Sequence, residues 1–346
     1  MPRPLTVVVP VLNESASLAE LVAELRATAA ANDYAMQIVL VDDGSTDGSW
    51  RTIQGLAAQD PLLEGVRFRR NFGKAAALSA GFGQAEHAVI VTMDADLQDN
   101  PGEIPKLLAA LDGEGAGKEL DVVSGWKVDR QDPWHKRWPS LAFNRLVSGL
   151  TRVRLNDHNC GLKAYRREVL DEVSLYGELH RFIPVLAASR GFRVGEVAVH
   201  HRPRKHGESK YGASRIFKGF LDLLTVKFLT RFGDRPQHLL GGVGLASFLA
   251  GAAGLSYLAV RWGVSRALPG MEPIHLHETA AMFYSIALCV VGSQFLSMGL
   301  IAELVASMLH REGEAYSIAE HVDGSEQAPA ERPATDTHSD QRAEAS

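Results

Sequence analysis

Four apolar segments in the first hundred residues each run out into polar side chains that could do chemistry. They are followed by Asn13 and Glu14, by Asp42 and Asp43, by Arg70 and Asn71, and by Asp94 and Asp96. Asp and Asn are common where a strand enters a turn, so any one pair carries little weight. Four in succession are harder to assign to turns alone. The Asp94-Ala95-Asp96 triplet is the sharpest of them. Two carboxylates leaving one strand end offer hard oxygen ligands, which suit Mg²⁺ or Mn²⁺, ions that keep several waters and bridge to substrate phosphates. Further on, Arg190 to Arg235 holds eleven bases against Glu196, Glu208, Asp222 and Asp234, a local charge of +7. Arginine pairs with phosphate through two parallel hydrogen bonds and lysine acts as a point charge. Carboxylates that can hold a metal, together with a basic segment, point to chemistry at phosphate groups.

Other polar clusters are less specific. Trp126 to Arg154 has seven bases against Asp129 and Asp132, and its Trp134 and Trp138 suit either a membrane-facing lid or a solvated helix with two packed indoles. His200, His201 and His206 lack zinc-ligand spacing, and Cys160 reads as a small buried residue.

Strands and helices must alternate to bring the four exits to one rim. Leu5–Val11, Gln37–Val41, Val66–Phe68, Ala88–Met93 and Asp121–Ser124 are continuous apolar runs too short for helices, as expected of strands buried on both faces. Between them Leu18, Leu21, Val22 and Leu25 mark one helical face, opened by a Ser17/Glu20 capping-box pattern. A second helix opens with Asn100 as cap, Pro101 and Glu103. This predicts an α/β fold with a mostly parallel, Rossmann-like sheet, in which ligands bind at the carboxyl ends of the strands.

Composition excludes several classes and misleads about one. The 346 residues are 46% hydrophobic and 22% charged, with two cysteines and a net charge of −5. Two cysteines exclude a disulfide-built scaffold, and a mildly acidic chain argues against nucleic acid as a partner. No positively charged start leads into a long apolar run, so the amino-terminal half is expected in the cytoplasm. A mean hydropathy of −0.06 suggests an ordinary soluble enzyme. Two segments break that pattern. His238–Trp262 has no charge before Arg261, and Thr279–Leu309 is interrupted only by Gln294 and Glu303. Each exceeds the roughly 20 residues that span a bilayer core. Small residues in the first (Ala246/Ala250, Ser247/Gly251, Ala250/Gly254) suit close helix packing, within a hairpin or with a second subunit. Ahead of the hairpin, Phe217, Phe220, Leu221, Leu224 and Phe228 form one face of a basic amphipathic helix, expected to lie among membrane lipid headgroups. The expected organisation is a catalytic domain over 1–212, the amphipathic helix over 213–235, the hairpin over 236–311 and an acidic, disordered tail over 312–346. That tail carries nine acids and two bases, so the other 311 residues hold +2. The basic flanks place both termini in the cytoplasm.

The ordered motifs Val8-Val9-Pro10-Val11-Leu12-Asn13-Glu14, Val41-Asp42-Asp43-Gly44-Ser45, Arg70-Asn71-Phe72-Gly73-Lys74 and Met93-Asp94-Ala95-Asp96-Leu97-Gln98-Asp99 resemble the inverting glycosyltransferase family 2 domain, whose fold is GT-A. Asp157-His158-Asn159-Cys160-Gly161-Leu162-Lys163, Arg202-Pro203-Arg204 and Gly207-Glu208-Ser209-Lys210-Tyr211 resemble its polyprenyl-phosphate, dolichol-phosphate mannose synthase-like branch. The resemblance runs from about Leu5 to Phe232. It implies transfer of one sugar from a UDP- or GDP-linked donor to polyprenyl phosphate at the cytoplasmic membrane face, with Mg²⁺ or Mn²⁺. It further implies that Pro10, Asn13, Glu14, Asp42, Asp94, Asp96 and Gln98 bind the nucleotide sugar. Asp96 would ligate the metal, with Gln98 and Asp94 as further ligand candidates. Asp157 would stand near the acceptor as a general base or a positioning group. Arg202, Arg204, Ser209 and Lys210 would meet donor diphosphate or lipid phosphate, with His180 and Arg181 as weaker candidates, and Asp96, Asp157 and Arg204 would carry catalysis. Family members frequently assemble through membrane helices, so a homo-oligomer is expected. The rival readings are a catalytically silent nucleotide-sugar-binding scaffold and a processive polysaccharide synthase. The synthase would carry Gln-x-x-Arg-Trp after the catalytic acid, whereas here Arg137-Trp138 precedes Asp157 and has Trp134 at the Gln position.

Overall fold

A computed structural model describes residues 1–114, 117–128, 144–151, 153–173, 175, 177–203, 221–223, 225–228, 230, 236–268 and 275–309. Arg204, Ser209, Lys210, Trp134, Trp138, the acidic tail and most of the amphipathic segment lie outside them.

The apolar runs form strands β1 (Arg3–Val11), β2 (Tyr34–Asp42), β3 (Leu63–Arg67), β4 (Val89–Thr92) and β5 (Val122–Lys127). Two more strands, β6 (Lys163–Arg166) and β7 (Val194–Val199), complete a seven-stranded sheet of order β3-β2-β1-β4-β6-β5-β7. Neither gives an apolar run in the sequence, because Lys163 and Arg166 bound the two inner residues of β6 and Gly195 and Glu196 interrupt the mostly half-buried β7. Only β6 runs against its neighbours; the other pairings are parallel.

The helices α1 (Leu18–Ala31), α2 (Ser49–Ala57) and α4 (Ile104–Leu111) cover one face of the sheet, where their side chains pack on Val7, Val9, Ile38 and Leu40. The other face holds α3 (Lys74–Gln84), α5 (Arg167–Glu172) and α6 (Ile183–Ser189) against Val8, Val39, Ile90 and Val122. Val7, Val8 and Val9 thus alternate between two apolar layers, which is why β1 reads as unbroken hydrophobic sequence. From β1 the chain winds outward to β2 and β3, then returns to β4 on the other side of β1. That reversal opens a crevice at the carboxyl ends of β1 and β4.

The two expected helix starts differ. Asn100 caps as anticipated, its Oδ1 accepting the Gly102 N–H at 3.0 Å at the head of a 3₁₀ turn that leads into α4. Ser17 does not close a capping box: its backbone is already helical and its hydroxyl donates to the Glu14 carbonyl at 2.9 Å.

The membrane helices are α7 (Pro236–Ala267) and α8 (Ala280–Leu309). Both are long and apolar enough to cross a bilayer, and only 17% of the most apolar window of each is buried, unlike a soluble core helix. The chain is a membrane protein. Its small-residue seam lies inside the hairpin. A Cβ at Gly251 would meet the Ser285 carbonyl oxygen at 2.5 Å, and one at Gly292 would meet the Phe248 nitrogen at 2.5 Å. Ala246 and Ala250 face outward. Glu303 caps the start of α7, its Oε2 accepting the Gln237 N–H at 3.1 Å, a favourable place for an anion.

The described part of the amphipathic segment, 221–223 and 225–228, is helical. Leu223 and Val226 are fully buried against Val147, Leu179 and Phe182 of the catalytic domain, while Leu221 is exposed. The segment therefore has an inward apolar face that the helical face read from sequence did not include. In detergent, Gly251→Val should lower the thermal midpoint by overpacking, at a cost of about 1–3 kcal/mol. Ala250→Val, on the outward face, should leave the midpoint unchanged; calorimetry compares the two.

Candidate active site

At the crevice an open cleft of about 270 Å³ is built from three strand exits: Pro10 at the end of β1 with Leu12 and Glu14 after it, Asp43 after β2, and Asp94 and Asp96 after β4. Asn71, Gly73 and Lys74, at the start of α3, close the fourth side.

The neighbouring Asp42 and Asp43 divide the work because consecutive residues leaving a strand face opposite ways. Asp42 is fully buried beneath the cleft. Its Oδ1 accepts the Ser45 N–H at 2.9 Å, and Arg67 stands 3.5 Å from its Oδ2. Asp43 lines the cleft and accepts the N–H groups of Phe72 (2.6 Å) and Gly73 (3.0 Å), so it shapes the loop that delivers Lys74. Asn13 does not line the cleft. Its backbone takes the left-handed conformation (φ 56°), and its Oδ1 accepts the Thr46 N–H at 2.8 Å, joining the first two strand exits.

Asp94 is gripped by the Lys74 ammonium. Burial would raise the carboxyl's pKa, but the charge and hydrogen bond of Lys74, helped by Lys127, hold it well below the usual carboxylate range. Gly161 makes this geometry possible, since a Cβ there would lie 2.7 Å from the Asp94 Cγ. Asp96 accepts the Gln98 N–H on Oδ1 at 3.2 Å. Between them, Leu97 is wholly buried at φ 61°, a conformation that costs a branched side chain roughly 1–3 kcal/mol.

A buried charge cluster supports the rim from below. Asp99 and Asp157 are 2% and 1% exposed, and Lys163 is 4% exposed, so none is readily hydrated. Lys127 stands 3.5 Å from Asp99. Burial would lower the Lys127 pKa, but Asp99 and the other acids raise it above the ordinary value and keep it charged. Lys163 donates to the Cys160 carbonyl, and burial lowers its pKa. Burial also pushes the Cys160 thiol up to about 12, which makes it inert. Asp157 accepts the Asn159 N–H at 3.0 Å and does not line the cleft. His180 is buried beside Lys74 and Asp94; desolvation and the Lys74 charge lower its pKa to about 2, so the ring is neutral.

The two described arginines expected at phosphate are engaged elsewhere. Arg181 pairs with Glu178 at 2.6 Å, and Arg202 is bonded to Glu24 and Asn100. Lys74, Asp43 and Lys127 were assigned no role from the sequence. The Gly73-Lys74 step at a helix start was visible there, but its contact with Asp94 depends on β4 lying beside β1.

Among the described residues no group of three or more His, Cys, Asp or Glu could hold a metal alone. Two rim carboxylates instead form a donor set that fits Mg²⁺ or Mn²⁺ when water and phosphate oxygens supply the rest. Of the two, Asp94 is also paired with Lys74.

Residues 6–174 match the family model for glycosyl transferase family 2. The chain is 35% identical to dodecaprenyl-phosphate galacturonate synthase of Rhizobium johnstonii over 94% of both chains. It is 38% identical to undecaprenyl-phosphate 4-deoxy-4-formamido-L-arabinose transferase of Pseudomonas syringae over 88% of this chain and 86% of that one. Among solved structures it is similar to mannosyl-3-phosphoglycerate synthase of Rubrobacter xylanophilus (TM-score 0.52, 14% identity, 65% of this chain and 74% of that one). It is also similar to glucosyl-3-phosphoglycerate synthase of Mycobacterium tuberculosis bound to Mn²⁺, UDP-glucose and phosphoglyceric acid (TM-score 0.51, 19% identity, 66% and 79%). With its crevice of acids at the strand exits and its carboxy-terminal pair of apolar helices, the chain belongs to glycosyltransferase family 2, as an enzyme of the polyprenyl-phosphate sugar transferase kind.

Proposed function

We propose that the protein transfers a single sugar, with inversion, from a UDP- or GDP-linked donor to a polyprenyl phosphate at the cytoplasmic face of the membrane. The observation that carries this reading is the rim where Asp94, Asp96 and Lys74 converge at the crevice between β1 and β4. The relatives named for dodecaprenyl- and undecaprenyl-phosphate products support the acceptor class.

Inversion needs one in-line displacement: an acceptor phosphate oxygen forms the new bond to the sugar's anomeric carbon as the bond to the donor diphosphate breaks. The electron pair leaves with the nucleoside diphosphate. The acceptor oxygen is already anionic, so no strong base is required. Asp157 is therefore assigned to balancing Lys127 and Lys163 rather than to abstracting a proton. Pro10, Glu14 and Asp43 wall the part of the cleft suited to the nucleotide. Asn13 and Asp42 act from behind it by holding the first two strand exits in place. Lys74, freed in part from Asp94 as phosphate arrives, places a positive charge where the leaving group gains negative charge. Mg²⁺ or Mn²⁺, held by Asp96 with Asp94 and Gln98 nearby, would supply further neutralisation of the diphosphate. Arg204, Ser209 and Lys210 remain assigned to phosphate contacts by motif alone.

Incubation with a panel of nucleotide sugars and short polyprenyl phosphates, followed by mass analysis of the lipid, should show one added sugar unit for one donor. A lipid of unchanged mass with every donor would overturn the proposal. Asp96→Asn should abolish turnover while circular dichroism stays native, and excess chelator should do the same. Lys74→Met should lower kcat by about 10²-fold or more. Without the ammonium, Lys127 is left to oppose burial at Asp94 and the carboxyl's pKa rises, so the acid limb of the rate profile should move to higher pH in this variant.

A further inference from the structure

The turn through Leu97 is strained, and such conformations persist where surrounding contacts over-determine them. Within the turn, the Asp94 N–H donates to Asp99 Oδ2 at 3.3 Å. From outside, Arg202 holds it at two points. The Arg202 N–H donates to the Gln98 carbonyl (2.9 Å), and its Nη2 donates to Asn100 Oδ1 (2.8 Å). Its Nη1 donates to both carboxylate oxygens of Glu24 on α1, at 2.7 and 2.9 Å. Beside it, His201 forms a backbone bridge with Asp99. Asn100 also caps the following 3₁₀ turn. Arg202 thus ties together the exit of β7, the segment directly after Asp96 and a helix outside the cleft, and it does not line the cleft itself.

We infer that Arg202, together with Glu24 and Asn100, is a positioning brace that holds the Leu97 turn and so aims the Asp96 carboxylate, rather than a residue that binds phosphate. This rests on Asp96 being the metal ligand of the proposed function. Groups that orient a ligating carboxylate commonly change metal affinity by about 10–100-fold when removed. The brace needs a planar fork that reaches two acceptors at once, a geometry that lysine lacks.

The test is a Mn²⁺ titration of the full-length protein in detergent with UDP or GDP present, followed by the electron paramagnetic resonance of free Mn²⁺. Glu24→Ala, Arg202→Ala, Arg202→Lys and the double alanine variant are compared with wild type. Each single change should raise the half-saturating Mn²⁺ concentration about tenfold. The double variant should be no worse than either single, because both remove one brace. Arg202→Lys should behave as Arg202→Ala does, with thermal midpoints close to wild type throughout. Glu24→Ala that titrates like wild type would overturn the inference. So would Arg202→Ala that raises only the KM for polyprenyl phosphate, or a weakening that simply follows a loss of thermal stability. The titration requires neither acceptor nor transfer, so absent transfer counts against the proposed function alone. A wild-type protein that binds no Mn²⁺ overturns the metal assignment and the brace with it.

Discussion

Repulsion between like charges is the constraint around which the catalytic domain is built. Asp94 and Asp96 leave the same strand end, Asp99 and Asp157 lie just beneath, and the proposed reaction brings two phosphate-bearing molecules to the same place. Uncompensated, such a cluster would favour protonation of the acids and loss of their capacity as ligands. Lys74 on Asp94 and Lys127 on Asp99 provide the compensation, with Lys163 nearby. Because these cations sit in part-buried or buried positions, their fields are less screened than those of surface lysines. Breaking the Lys127–Asp99 pair would leave a buried carboxylate unmatched, which is strongly destabilising.

The sheet order makes this compensation possible. Reversal of the winding between β3 and β4 leaves β1 flanked by β2 and β4, and their exits converge on one crevice. The start of α3 then carries Lys74 across to Asp94, while β5 and β6 bring Lys127 and Lys163 under the rim. The antiparallel β6 matters in particular: it pairs with β4 on one edge and β5 on the other, and so places Gly161 against the Asp94 carboxylate.

The same chain separates two solvents. Its hairpin leaves apolar side chains outward along both helices and sets Gly244, Gly251 and Gly292 in the seam, the reverse of a soluble helical pair. Ahead of the hairpin, Leu223 and Val226 pack into the catalytic domain and share its core. The net charge of −5 averages this protein with an acidic tail and describes neither part.

Much of this was legible in the sequence. Strand runs over β1 to β5, the Asn100 cap, the two spans and the acidic exits follow from local rules: apolar periodicity, turn chemistry and the length needed to cross a bilayer. The ordered motifs were enough to suggest the family. Which of Asp42 and Asp43 lines the cleft, which lysine neutralises Asp94, and why Arg202 turns to Glu24 instead of the cleft were not legible. Those outcomes depend on contacts between residues far apart in the chain, 20 positions for Lys74 and Asp94 and 178 for Arg202 and Glu24. Residue type decides what a side chain can do, and local spacing decides which element carries it. Its partner is decided only when the strand order closes, because that alone sets which exits share a rim and which charges must then be matched.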